Sequence, residues 1–172
     1  TALGREESMS TIQLDFAAKE RFGLSYMDET GSENGEVLVI HRAPLSTHER
    51  FVAFLTEHWM GNFPTWLSPT QVQIITISER HSEHAAKVAL NLRDQGIRVS
   101  LDDSDSTIGR KIRTHRKMRP AYMLIIGEDE VENGTVSIRA RNGDQRNGVL
   151  LEDFIEGIVE EIKSRSPSMG MV

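Results

Sequence analysis

The sequence predicts an α/β protein in two parts: a strand–loop–strand–helix segment, then a domain in which strands and helices alternate. Three observations carry this. Short apolar, β-branched runs recur at Val37–Ile40, Val72–Ile77 and Tyr122–Ile126, the composition of strands that bury one face or both. Between them, apolar residues keep helical spacing, most clearly Ala85, Val88, Ala89 and Leu92, and again Leu151, Phe154, Ile155, Ile158, Val159 and Ile162. The stretch 61–69 has two prolines and no periodicity, and so reads as a connection between the two patterns.

In order, Thr11–Phe16 reads as a half-buried strand and residues 28–36 as a polar, glycine-containing connection. Glu36–Arg42 makes the next strand. Ser46-x-x-Glu49 has the form of a capping box, opening an amphipathic helix over 47–60 with Phe51, Val52, Phe54 and Leu55 on its face. Beyond the connection come the strand 72–77, a helix closed by Gly96, and an alternating strand through Ile97, Val99 and Leu101. A basic helix anchored by Ile108 and Ile112 stops at Pro120, and the buried strand 122–126 completes a βαβαβ unit. Thr135–Arg141 is a further strand, with Val136, Ile138 and Ala140 inward and Ser137, Arg139 and Arg141 on the opposite face; Asn133-Gly134 and Asn142-Gly143 bound it. The terminal helix precedes a tail expected to fray. No internal repeat or low-complexity segment interrupts the chain.

Composition narrows the function. The 172 residues, 38% of them hydrophobic, suffice for one ordinary domain or for a domain and part of another. No apolar run approaches the ~20 residues that span a bilayer, and no basic-then-apolar leader opens the chain; a cytoplasmic protein without membrane association is expected. Without cysteine, disulfides and thiolate metal sites are excluded from this chain, so a metal would need histidine and oxygen ligands. A formal charge of -6 opposes bulk affinity for a polyanion, yet Arg110, Lys111, Arg113, Arg116, Lys117 and Arg119 lie together with no acid among them. That helix is either a solvated face or a local electropositive surface. Thr1 and the immediate entry into a strand suggest the C-terminal piece of a longer protein.

His41, at the end of an apolar strand, and Arg50, just inside the next helix, suggest a site for a metal and a nucleotide. Arginine donates to a phosphate in a fixed fork or stacks on adenine. Each also has an ordinary reading, as a hydrogen-bonded core histidine and a surface ion-pair former. The run from Ile40-His41-Arg42-Ala43 to Glu49-Arg50-Phe51 resembles motif 3 of class II aminoacyl-tRNA synthetases, in the form found in the threonyl-tRNA synthetase family. Two flanking stretches resemble the same family: Gly4-Arg5-Glu6 leading into Thr11-Ile12-Gln13-Leu14-Asp15-Phe16, and Gly61-Asn62-Phe63-Pro64-Thr65-Trp66-Leu67-Ser68-Pro69 leading into Gln71-Val72.

This resemblance implies the end of an antiparallel-sheet catalytic domain over 1–66, an anticodon-binding domain with a five-stranded mixed sheet and three helices over 67–165, and a flexible tail over 166–172. The implied function is ATP-dependent attachment of threonine to its tRNA through threonyl-adenylate, in a cytoplasmic homodimer that uses zinc, with ATP and magnesium as substrate. By the resemblance His41 is one zinc ligand; the others would lie outside this chain, which alone would be inactive. A zinc site that takes a hydroxyl ligand rejects valine more strongly than an apolar pocket does. Arg50 corresponds to the arginine that grips ATP, Thr47 to a serine near the adenylate, and Gln13 to a glutamine on the substrate side. Ser46 stands where glycine is usual, and Glu7-Ser8-Met9-Ser10 where many members read Trp-Gln-Cys-Gly.

In the second part, Glu130 and Arg139 correspond to residues that read anticodon bases, and Arg113 and Arg119 to basic contacts nearby. Asp105 and Thr107 stand where asparagine and lysine are frequent. A carboxylate accepts from an exocyclic amine and a guanidinium forks onto a base edge, as recognition of single-stranded RNA requires. His48, His58, His81, His84 and His115 read as surface or capping residues. The alternative functions are a noncatalytic RNA-binding or accessory module, and a fragment serving dimerisation and scaffolding.

Overall fold

The computed structural model describes residues 1, 3–167 and 170, and the chain folds as two compact units, residues 1–60 and 61–172. In the first unit β1 (Thr11–Asp15) pairs antiparallel with β4 (Val39–Ala43), in a register that sets Gln13 opposite His41. Between them lie α1 (Ala18–Phe22) and a hairpin of β2 (Tyr26–Met27) and β3 (Glu33–Asn34). Sequence periodicity misses these three because each is too short to show a period. α2 (His48–His58) ends the unit. Its cap differs from the expected Ser46 box: Ser46 takes φ 58°, and Thr47 is the extended N-cap whose Oγ1 accepts from the Arg50 amide at 3.3 Å.

The second unit is built on a five-stranded sheet of order β6-β5-β7-β8-β9. β5 (Val72–Thr76) runs parallel to β6 (Val99–Asp102) and β7 (Tyr122–Ile126). β8 (Thr135–Ala140) and β9 (Gln145–Leu150) add antiparallel, so the sheet is mixed as expected. α3 (Ser82–Asp94) and α6 (Leu151–Ser164) supply Ala85, Val88, Leu92, Phe154 and Ile158 to a core shared with Val72, Ile74, Leu124, Ile126, Val136 and Ile138. α4 (Ile108–Met118) packs on β5. These are the three helices expected; a short α5 (Glu128–Asn133) joins them, ending at Gly134 with φ 65°. No helix among the described residues is long and apolar enough to cross a membrane.

Residues 61–66 go with the second unit, whereas the sequence divides the chain after 66. The reason is polar. Arg141 donates to the Phe63 carbonyl, Gln71 Nε2 to that of Thr65 at 3.0 Å, and Arg98 Nη2 to those of Trp66 and Ser68 at 2.9 and 2.7 Å. At the far end, the Gly170 carbonyl accepts from the Tyr122 hydroxyl; positions 168, 169, 171 and 172 of the expected tail lie outside the described residues.

Candidate functional site

In the first unit the β1–β4 register brings Gln13 and His41 onto one face, because direct cross-strand partners project to the same side. Asp15, two residues from Gln13, shares that face, and its Oδ2 accepts from His41 Nε2 at 3.0 Å. That bond and the backbone amides of Ala18 and Ala17 hold the Asp15 carboxyl below its usual pKa. Gln13, Asp15, Phe16 and His41 line one open hollow. Arg50 is exposed in the first turn of α2, with its amide capped by Thr47. Among the described residues no three histidine or carboxylate side chains converge as a metal site.

In the second unit, alternation along β8 sends Val136, Ile138 and Ala140 into the core and leaves Ser137 and Arg139 on the opposite face. The sheet register places Arg139 between Met123 of β7 and Gln145 of β9. Arg139 Nη2 donates to Gln145 Oε1 at 2.9 Å. These three residues line a cavity together with Ile112, Arg116, Arg119, Pro120 and Arg141. Four guanidinium groups therefore border one hollow whose remaining wall is partly apolar. Burial and the neighbouring charge of Arg119 hold the Arg141 pKa below its ordinary value, and its Nη1 donates to the Arg119 carbonyl at 2.9 Å. Arg119 itself occupies the left-handed cap of α4, φ 52°, and reaches Asn62 Oδ1 at 3.1 Å.

The basic helix thus does not present a single face. Arg110, Arg113 and Lys117 line a separate hollow on its outer side, whereas Arg116 and Arg119 border the Arg139 cavity. Lys111 leaves the basic set altogether. It is buried, and its Nζ donates to Thr76 O at 3.0 Å and Thr76 Oγ1 at 3.2 Å. The spacing Ile108, Lys111, Ile112, His115 carries that signal, since i, i+3, i+4 and i+7 share one helix face. His115 is likewise no surface residue: its Nε2 lies 2.6 Å from Asp102 Oδ2. His81 is buried with Nε2 3.3 Å from Glu128 Oε2, tying the start of α3 to the start of α5.

Glu130 is held on both oxygens. Oε2 accepts from the Gly127 amide at 2.9 Å, closing the N-terminus of α5, and Oε1 accepts from the Ser137 hydroxyl at 2.6 Å. A carboxylate has further acceptor positions, so the arrangement fixes the group without saturating it. Asp105 and Thr107 lie exposed between β6 and α4. Of the residues expected to meet RNA, Arg119 and Arg139 share a cavity, Arg113 lies on the outer face of α4, Glu130 is joined to the Arg139 strand through Ser137, and Asp105 stands in the preceding turn. Sequence reasoning misses Gln145, because β9 lacks the pattern of a strand, and takes Arg116 only as one of a basic run.

A mixed five-stranded sheet with helices packed on it and an arginine-bordered cavity defines the class. Residues 71–161 match the family profile described as anticodon binding domain, and the chain belongs to that family. Over 167 residues, 96% of its length, it is 46% identical to the threonine–tRNA ligase of Lactobacillus acidophilus. It is also 46% identical over 165 residues to that of Petrotoga mobilis. It spans about a quarter of each, 26%. A solved structure, the RNA binding domain of threonyl-tRNA synthetase from Cryptosporidium parvum, superposes with a TM-score of 0.74 at 36% identity, over 99% of this chain and 42% of that one.

Proposed function

We propose that residues 61–165 bind the anticodon arm of threonine tRNA, within a longer threonine–tRNA ligase. The observation that carries this is the Arg139 cavity: guanidinium groups beside an apolar wall suit an unpaired base and its phosphate. Arg139 and Glu130 read base edges, Arg113 and Arg119 supply phosphate affinity, and Asp105 borders the bound loop. Binding to threonine-anticodon and anticodon-substituted stem-loops at two salt concentrations tests the division of labour. Arg113→Ala should weaken every RNA and reduce the log–log salt slope by about 0.7 to 0.9. Arg139→Ala should cost ~1–3 kcal/mol on the cognate loop only. Equal losses on both RNAs would reduce Arg139 to a phosphate contact.

For the longer protein we propose ligation of threonine through threonyl-adenylate, in a cytoplasmic homodimer. Arg50 and Thr47 bind ATP, supplied with magnesium, and Gln13 faces the amino acid. Charge stabilisation by Arg50 as pyrophosphate leaves would contribute about 100-fold or more, so Arg50→Ala should slow threonine-dependent pyrophosphate exchange by that factor with the fold intact. Normal exchange would return Arg50 to an ion-pair role. Zinc is proposed for the longer protein only. His41 offers a single ligand where about three are needed, and the 172-residue chain should not activate threonine by itself. One observation favours the second reading, a noncatalytic RNA-binding module: Glu7–Ser10 departs from the group usual at that place. Sustained pyrophosphate exchange by the longer protein would exclude it.

A further inference from the structure

We infer that Gln145 is a positioning residue for base recognition, holding the Arg139 guanidinium against one edge of an unpaired nucleotide; this rests on the anticodon-binding reading of the cavity. The inference begins with backbone register. Thr135 pairs with Leu150 and Val136 with Val149, but Ile138 pairs with Arg146 and Arg139 with Gln145. β9 thus carries one residue more than β8 between these pairs, a bulge beside Gly148, whose φ of 65° suits glycine. Continued without the bulge, the first register would set Arg146 opposite Arg139, and two guanidinium groups would repel. The bulge sets a neutral amide there instead.

The hairpin tip then fixes that amide. Asp144 N donates to Asn142 Oδ1 at 3.0 Å, Asn142 Nδ2 to Asp144 Oδ2 at 2.8 Å, and Ala140 N to Asp144 O at 2.9 Å. Gly143 supplies the turn with φ 103°. Gln145 follows immediately and accepts from Arg139 Nη2 at 2.9 Å. Arginine is among the side chains with the most rotamer freedom, and much of it must be lost when its fork meets a base edge. Ordering the guanidinium before RNA arrives removes part of that cost from binding. One donor is committed to Gln145 and the rest remain for the base, while Met123, paired with Arg139 on its other side, forms an apolar shelf.

The test uses the 172-residue chain, a threonine-anticodon stem-loop, and the same stem-loop altered at the base whose discrimination Arg139→Ala abolishes. Gln145→Leu should lower affinity for the cognate loop roughly threefold to tenfold, leave the altered loop unchanged and leave the salt slope unchanged. Gln145→Glu keeps an acceptor for Arg139, so it should preserve the cognate-to-altered ratio while its added charge weakens both RNAs. An undiminished ratio in Gln145→Leu, beside a ratio abolished by Arg139→Ala, would overturn the positioning role alone. Equal losses on both RNAs in Gln145→Leu would also overturn it, by showing a general structural effect. If wild type makes no distinction between the loops, or Arg139→Ala changes nothing, the anticodon-binding reading itself falls and the inference with it.

Discussion

Residues 1–60 and 61–172 form their elements by different means. In the first unit Ala18 is the only buried residue among those described, and Ile12, Phe16, Leu38 and Ile40 are each more than 60% exposed. Its strands are held by backbone pairing and the start of α2 by the Thr47 cap. The second unit closes a core in which Val72, Ile74, Leu92, Leu124, Ile138, Phe154 and Ile158 are wholly or almost wholly removed from water. Secondary structure and an independent fold are therefore separate achievements. Apolar burial is the dominant favourable term in folding, and among the described residues the buried apolar cluster lies in the second unit.

Separating the units puts that contrast to its most severe test. Residues 61–172 should unfold in one cooperative urea transition followed by far-ultraviolet circular dichroism, and residues 1–60 should show no transition. Cooperative unfolding of the shorter piece would refute the contrast. A fragment beginning at residue 70 refines it, because it abandons the Phe63, Trp66 and Ser68 carbonyls that Arg141 and Arg98 bond. Leaving such partners unmade costs about 1–3 kcal/mol each where they are buried, so its transition midpoint should be lower than that of 61–172.

Single substitutions should repeat the contrast on a smaller scale. Leu124→Ala, at a fully buried position on the central strand β7, should destabilise the chain by about 2–5 kcal/mol. Ile40→Ala, mostly exposed on β4, should cost less than about 0.5 kcal/mol. Similar losses in both, measured by urea titration of the 172-residue chain, would mean that the Ile40 side chain is buried in solution.

The same division governs what could be read from sequence. β5 and β7 were legible because β-branched and aliphatic runs have little choice but a buried strand. β9, Gln145–Leu150, was not legible from its residues: it is polar, almost entirely exposed, and exists because the Asn142–Gly143 turn folds it against β8. α5 is six residues with one aliphatic side chain, too few to display a period. Arg139 could be found by alternation along β8 and by the family resemblance. Gln145 could not, since its position depends on a bulge that alternation does not announce. The sequence does not single out the Thr47 cap because Ser46 and Thr47 are both capping residue types, and only the left-handed φ of Ser46 excludes Ser46.

A subtler effect should separate one pair type as it occurs in the two units. Asp15–His41 and Asp102–His115 are both carboxylate–imidazole contacts, at 3.0 and 2.6 Å. Their side chains differ in exposure: 33% and 57% for the first pair, 15% and 19% for the second. Burial alone would raise the Asp102 carboxyl, but hydrogen bonds from the Ser104 hydroxyl, His115 and the Ser104 amide outweigh it, so its folded pKa lies below the ordinary value. A depressed folded pKa contributes stability that is present above the unfolded value of about 3.9 and is lost as pH falls through the folded value. Asp102→Asn should therefore cost roughly 0.5–1.5 kcal/mol near neutrality, and this deficit should shrink as pH falls below about 4. Asp15→Asn should leave the urea midpoint of the second unit unchanged at every pH, because Asp15 and His41 both belong to the first unit. Urea midpoints of both variants and wild type, taken from pH 7 downwards, decide the matter. A deficit for Asp102→Asn that persists undiminished at the lowest pH would show that its hydrogen bonds matter as geometry and not through the charge on the carboxylate.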